Sequence, residues 1–252
     1  MKIQYCSDLH LEFLDNKKFL KNKPLKPEGE ILLLAGDVVL IKLIGEHDDF
    51  FDYLADHFEA TYWVPGNHEY YHWDLAKVEN PLFEKIRNNV FLLNNQVVEY
   101  KNVELIFSTL WSHIPPQHEW IVQQNMGDFE WIKNEGRRFT TTDFNALHQA
   151  DLAFIRASLD KPTDLQRIIV THHVPTLMHY PEQYRNSVIN CGFVTELHDF
   201  IESSQAAYWL YGHHHCNTPD FKIGNTTLLT NQLGYVFKKE YDLFNPSAVI
   251  PV

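Results

Sequence analysis

Cysteine is scarce in this chain. The 252 residues include three, Cys6, Cys191 and Cys216, odd in number, far apart and outside any C-x-x-C pair. Neither a disulfide framework nor a cysteine-zinc site is indicated, and a reducing, cytoplasmic setting is the expectation. Basic residues are also few: 21 Lys and Arg stand against 33 Asp and Glu, a formal net charge of −12. Broad attraction to nucleic acid or an anionic membrane needs basic patches that release counterions, so a small substrate fits this balance better than a long polyanion. No apolar run approaches the roughly 18 to 20 residues that cross a bilayer. The chain starts MKIQYCSD, which reads as a first strand and not as a charged, apolar and small-residue leader. Repeats, low-complexity tracts and Gly/Ser-rich linkers are missing too, which leaves a single domain over 1–252 as the expected organisation.

What is present is apolar residues, at 44% enough for a sizeable core, and histidine, at 15 residues. Three of those histidines are consecutive in YWLYGHHHCNT at 208–218. Short apolar runs at 2–6, 30–35, 60–64, 167–171 and 206–211 read as strands buried on both faces, because polar alternation in them is weak. Helical spacing at 46–58, 143–159 and 193–203 alternates with them, in the manner of an α/β protein. A hairpin is expected over 96–110, turning near Lys101-Asn102. Residues 111–142, with Pro115-Pro116 and little periodicity, read as a long irregular insertion, and such segments are often functional.

Each strand runs into a polar cluster: Ser7-Asp8-Leu9-His10, Gly36-Asp37, Gly66-Asn67-His68-Glu69, His172-His173 and Gly212-His213-His214-His215. Open α/β sheets place their ligands at such C-terminal strand ends. Asp8 and His10, two apart, can point the same way if the chain stays extended. Carboxylate, amide oxygen and imidazole together suit manganese, iron or zinc, whereas calcium and magnesium prefer oxygen alone. Asp8, His10, Asp37, Asn67, His172, His213 and His215 make seven candidate ligands, too many for one such ion; with Asp37 bridging, each of two ions receives four. Two divalent ions and two carboxylates leave a charge of about +2, an attractor for phosphate, and paired metals clamp both oxygens of an in-line displacement.

The ordered set D-L-H, G-D, G-N-H-E, T-H-H-V-P and G-H-H-H, spanning residues 8 to 215, resembles the signature of the calcineurin-like metallophosphoesterases. TLWS at 109–112 and NQLGY at 231–235 resemble bacterial members without a settled substrate. The resemblance implies a four-layer α/β/β/α sandwich of two mixed sheets with a dinuclear metal site at one edge. It implies a hydrolase of phosphomonoesters or phosphodiesters that uses a metal-bound hydroxide. Carried over by position, Asp8, His10, Asp37 and His215 hold the first metal, and Asp37, Asn67, His172 and His213 the second. His68 becomes the unligated imidazole that protonates the leaving group or steadies the phosphoryl oxygens. In G-H-x-H alternate histidines face the site, so His214 points elsewhere, and His172 is preferred to His173. Many relatives have an aspartate three residues after the bridging one, where it orients the catalytic histidine; here that position is Leu40.

Other residues take blander readings. His72, His113, His118, His148, His179 and His198 are read as satisfied polar residues, and Cys216 as a small core residue. Asp48 and Asp49 are read as capping a helix start. Arg137 and Arg138 are open between phosphate contact and a solvated pair, and Trp111, Trp120 and Trp131 between a pocket lining and lid packing. A metal-binding scaffold without turnover is the alternative to the enzyme, and an unligated His68 disfavours it.

Overall fold

Four parallel strands form the centre of each of two sheets, and one antiparallel strand closes every edge. The computed structural model describes all residues, Met1–Val252. In chain order the elements are β1 (Lys2–Cys6), α1 (Leu14–Asn22), β2 (Ile31–Ala35), α2 (Asp48–His57), β3 (Ala60–Val64), β4 (Leu82–Arg87), β5 (Val90–Asn94), β6 (Gln96–Tyr100) and β7 (Val103–Ser108). They continue with α3 (Glu119–Asn125), α4 (Asp128–Trp131), β8 (Lys133–Asn134), β9 (Arg137–Arg138), α5 (Thr141–Leu159), β10 (Gln166–Thr171), α6 (His198–Ser203), β11 (Tyr208–Leu210), β12 (Phe221–Ile223), β13 (Thr226–Leu229) and β14 (Val249–Pro251). The first sheet has the order β14-β1-β2-β3-β5-β4 and the second β12-β13-β11-β10-β7-β6, with a separate β8-β9 ribbon.

The period-two geometry of a strand explains the continuous apolar runs. Ile31, Leu33 and Ala35 point inward to meet Leu105, Phe107, Ile168 and Val170 of the other sheet. Leu32 and Leu34 point outward against Leu20 of α1 and Phe51 and Leu54 of α2. On the far side Ile106, Ile169 and Trp209 pack on Ile155 of α5 and Ile201 of α6. The result is the α/β/β/α sandwich that the motif resemblance implies. No helix is long and apolar enough to cross a membrane.

Residues 111–142 differ from the expected irregular stretch. They fold as α3, α4 and the β8-β9 ribbon around Trp111, Ile114, Val122, Phe129, Ile132 and Phe139, which pack against Leu40, Tyr70 and Tyr71. Elements of two to seven residues are too short to print a period on the sequence. Arg137 lies in this ribbon and forms a two-pronged pair with Asp143 at 2.6 and 2.7 Å, while Arg138 donates to the Phe129 carbonyl. Asp143 completes a capping box with Thr140 at the start of α5. Thr140→Ala should therefore lower stability by about 1 kcal/mol, read by urea unfolding with an unchanged m-value. A change below the error of the measurement would remove the box from the stability of α5.

Candidate metal centre

The loops leaving β1, β2, β3, β10 and β11 meet at one edge of the sandwich, and their backbone is bent where the sequence suggested an extended chain. Asp8, His10, Asp37, His213 and His215 all lie in the left-handed region, with φ of 56°, 48°, 53°, 80° and 50°. Such backbone costs on the order of 1 to 3 kcal/mol per non-glycine residue and gathers at functional sites. Two motif glycines exist for close approach. A Cβ on Gly66 would lie 2.2 Å from Asp37 Oδ1, and one on Gly36 would lie 2.3 Å from His172 Nδ1.

The seven candidate ligands meet at this edge, six of them buried and His215 partly so, and fall into two groups. Asp8, His10, Asp37 and His215 place one ligand atom each within 4.8 Å of one another, as do Asp37, His172 and His213. Asn67 joins the second group, its Oδ1 lying 3.2 Å from His172 Nε2. His10 Nδ1 is bound to Glu12 at 3.0 Å and His215 Nδ1 to Glu240 at 2.8 Å. Their Nε2 atoms, 2.9 Å apart, therefore face each other as lone pairs in the neutral rings. His172 Nδ1 is likewise bound to the Ala35 carbonyl at 2.9 Å, and its Nε2 faces His213 Nδ1 at 3.1 Å and Asp37 Oδ2 at 3.4 Å.

Nitrogen and carboxylate atoms brought this close together must share cations, either protons or metal ions. Burial opposes charging His172, yet Asp37 beside it carries its pKa up to about 10. Burial also opposes charging His215, which bonds to Asp8 and Glu240 bring up to about 9. The field that holds protons here suits metal ions equally, and the outer hydrogen bonds to Glu12, Glu240 and Ala35 fix each ring as ligand histidines require. The donor set, nitrogen with carboxylate and amide oxygen, fits two transition-metal ions.

Of the remaining histidines, His173 is fully buried against Trp111, with neither ring nitrogen hydrogen-bonded. His214 turns Nδ1 to Gln232 at 2.8 Å. Cys216 is half-buried and not a core residue. Asp48 and Asp49 sit in the first turn of α2, where no side chain makes a capping hydrogen bond.

His68 belongs to neither ligand group. Its Nδ1 meets Glu12 Oε1 at 2.9 Å and its Nε2 meets the Tyr235 hydroxyl at 3.2 Å. Glu12 thus occupies the role that Leu40 leaves open, holding Nδ1 and aiming Nε2 outward. Glu12, Glu240 and Tyr235 were not among the sequence candidates. The clue for Glu12 was the continued alternation Asp8-Leu9-His10-Leu11-Glu12, which an isolated reading of D-L-H stops short of.

The centre opens into a cavity of about 410 Å³. Asn125, Met126, Gly127 and Asp128 of the 111–142 segment form one wall. Tyr180, Tyr184, Ile189 and Phe193, which precede α6 although helical spacing was expected from 193, form another, and Tyr235 and Lys238 a third. The cavity is lined by tyrosine and phenylalanine and by none of Trp111, Trp120 and Trp131. Trp111 is buried and Trp120 is 74% exposed.

With this geometry in place, comparison with known proteins points in one direction. A family model described as calcineurin-like phosphoesterase matches residues 1–217. An uncharacterized protein of Acanthamoeba polyphaga mimivirus is 31% identical over 278 residues, covering 99% of this chain and 96% of that protein. The crystal structure of a phosphopantetheinyl hydrolase from Mycobacterium tuberculosis superposes with a TM-score of 0.71 at 18% identity, covering 99% of this chain and 95% of that one.

Proposed function

Because the chain belongs to the calcineurin-like phosphoesterases, we propose that it hydrolyses a small phosphate ester with two metal ions, manganese, iron or zinc. Asp8, His10, Asp37 and His215 hold one ion, and Asp37, Asn67, His172 and His213 the other. The observation that carries this reading is the pair of ligand groups sharing Asp37, with His10 and His215 Nε2 2.9 Å apart in one and His172 Nε2 and His213 Nδ1 3.1 Å apart in the other. When bound, the ions supply Lewis acidity toward phosphoryl oxygens and an activated water.

The rest falls to side chains. Glu12 holds His68 so that Nε2 faces the cavity, where it can protonate a departing oxygen. Lys238, lying 4.8 Å over the Tyr235 ring, is the one Lys or Arg in the lining, which suits a substrate with a single phosphate. Tyr71, Tyr180, Tyr184 and Phe193 offer an apolar wall to the organic part. The 111–142 segment acts as one side of a lid in this reading, and residues 174–197 as the other. The three free thiols fit a reducing, cytoplasmic location.

Protein purified without chelator should carry close to two transition-metal ions per chain and should hydrolyse p-nitrophenyl or bis-p-nitrophenyl phosphate with added manganese. The ratio of the two rates separates monoesterase from diesterase action, and a phosphopantetheinyl ester joins the panel on the strength of the similar mycobacterial hydrolase. Two bound ions without turnover on any ester would favour the scaffold; no metal uptake would sink both.

A further inference from the structure

We propose that Asp128, carried by the 111–142 segment, is a positioning residue for the second metal ion: it locks the Asn67 amide so that its oxygen, and not its nitrogen, faces the site. The inference rests on the two-ion reading above. Asn67 Nδ2 donates to Asp128 Oδ1 at 2.7 Å and to the Tyr71 hydroxyl at 3.0 Å, so the amide nitrogen is held on that side. The Tyr71 hydroxyl in turn donates to the same Asp128 oxygen at 2.7 Å, which closes a three-membered ring of bonds. With Nδ2 held on that side, Oδ1 is left toward His172 Nε2 at 3.2 Å. A flipped amide would aim its N–H groups at a cation and turn its oxygen on the Asp128 carboxylate, which can only accept.

Asp128 is 1% exposed, and its second oxygen has no partner. A carboxylate held this deep is costly unless it is bonded, so the bonds from Asn67 and Tyr71 fix its place. Tyr71 also packs against His68, with ring centroids 4.2 Å apart and the planes tilted by 34°. One carboxylate from the insertion therefore braces a ligand and the neighbour of the unligated histidine together. The insertion is on this account part of the metal centre as well as a cover for it. The link joins residues 61 positions apart in sequence, at the β3 end and in α4.

Calorimetric titration of chelator-stripped full-length protein with manganese tests the proposal. Wild type should take up two ions per chain. Asp128→Ala and Asp128→Leu should bind one ion with unchanged affinity and the other on the order of 10- to 100-fold more weakly. The leucine variant retains the volume of the site should the alanine variant collapse, and circular dichroism checks both. Asp128→Asn still offers an oxygen to Asn67 and should recover most of the lost affinity. Two wild-type affinities in the alanine or leucine variant would overturn the proposal, as would an asparagine variant as weak as leucine, since charge and not amide orientation would then be acting. Fewer than two ions in wild type would instead overturn the two-ion reading itself.

Discussion

Asp37→Asn is expected to abolish most activity while the fold persists. Asp37 is the one residue common to both ligand groups, with Oδ2 3.4 Å from His172 Nε2 and 3.8 Å from His10 Nε2. Its other oxygen accepts the His68 backbone N–H at 2.9 Å, a bond that an asparagine oxygen can still accept. The substitution therefore removes a charge and keeps the turn. A bridging carboxylate supports metal-assisted stabilisation worth several kcal/mol, and at about 1.4 kcal/mol per tenfold the loss in kcat/KM should be on the order of 10³-fold. Bound metal should fall from two ions toward one, with an unchanged circular dichroism spectrum. A variant that retains both ions and most of its activity would remove Asp37 from the bridge.

The parts of this centre legible in the sequence are those that a strand delivers directly. β1 and β3 coincide with the runs read at 2–6 and 60–64, and β2 and β10 fall within one residue of theirs. The chain in them is buried on both faces, so apolar runs and strands coincide. β11 covers only Tyr208–Leu210 of the run at 206–211, although Ala207 and Tyr211 still share backbone hydrogen bonds with the neighbouring strands. β4, β5, β12, β13, β14 and α1 went unread; several are edge strands or half-exposed, and α1 (LDNKKFLKN) buries only Asn16 and Leu20, too little for a periodic stripe. The groups that orient the ligands were invisible for a different reason. Glu240 reaches His215 from 25 residues away, Asp128 reaches Asn67 from 61 and Tyr235 reaches His68 from 167. Such contacts are set by how the layers pack, and no local spacing encodes them.

His68→Ala should keep both ions, lose much activity on an alkyl phosphate ester and lose less on a p-nitrophenyl ester. His68 lies outside the two groups that share Asp37; it is held from behind by Glu12 and faces Tyr235 in the cavity lining. A general acid contributes on the order of 10² to 10⁴ in rate, and the contribution shrinks when the leaving group departs easily without a proton. Glu12 Oε1 accepts from both His68 and His10, at 2.9 and 3.0 Å, so it couples His68 to the first ligand group. Glu12→Gln leaves one acceptor oxygen but no charge to hold two imidazole N–H groups. It should reproduce the same leaving-group dependence, at roughly 10- to 100-fold, once metal is saturating. Measuring kcat/KM for the alkyl and p-nitrophenyl esters in wild type and both variants decides the matter. Equal losses on the two esters would assign His68 to electrostatic stabilisation of the phosphoryl oxygens, and a Glu12→Gln defect fully cured by added manganese would confine Glu12 to holding His10.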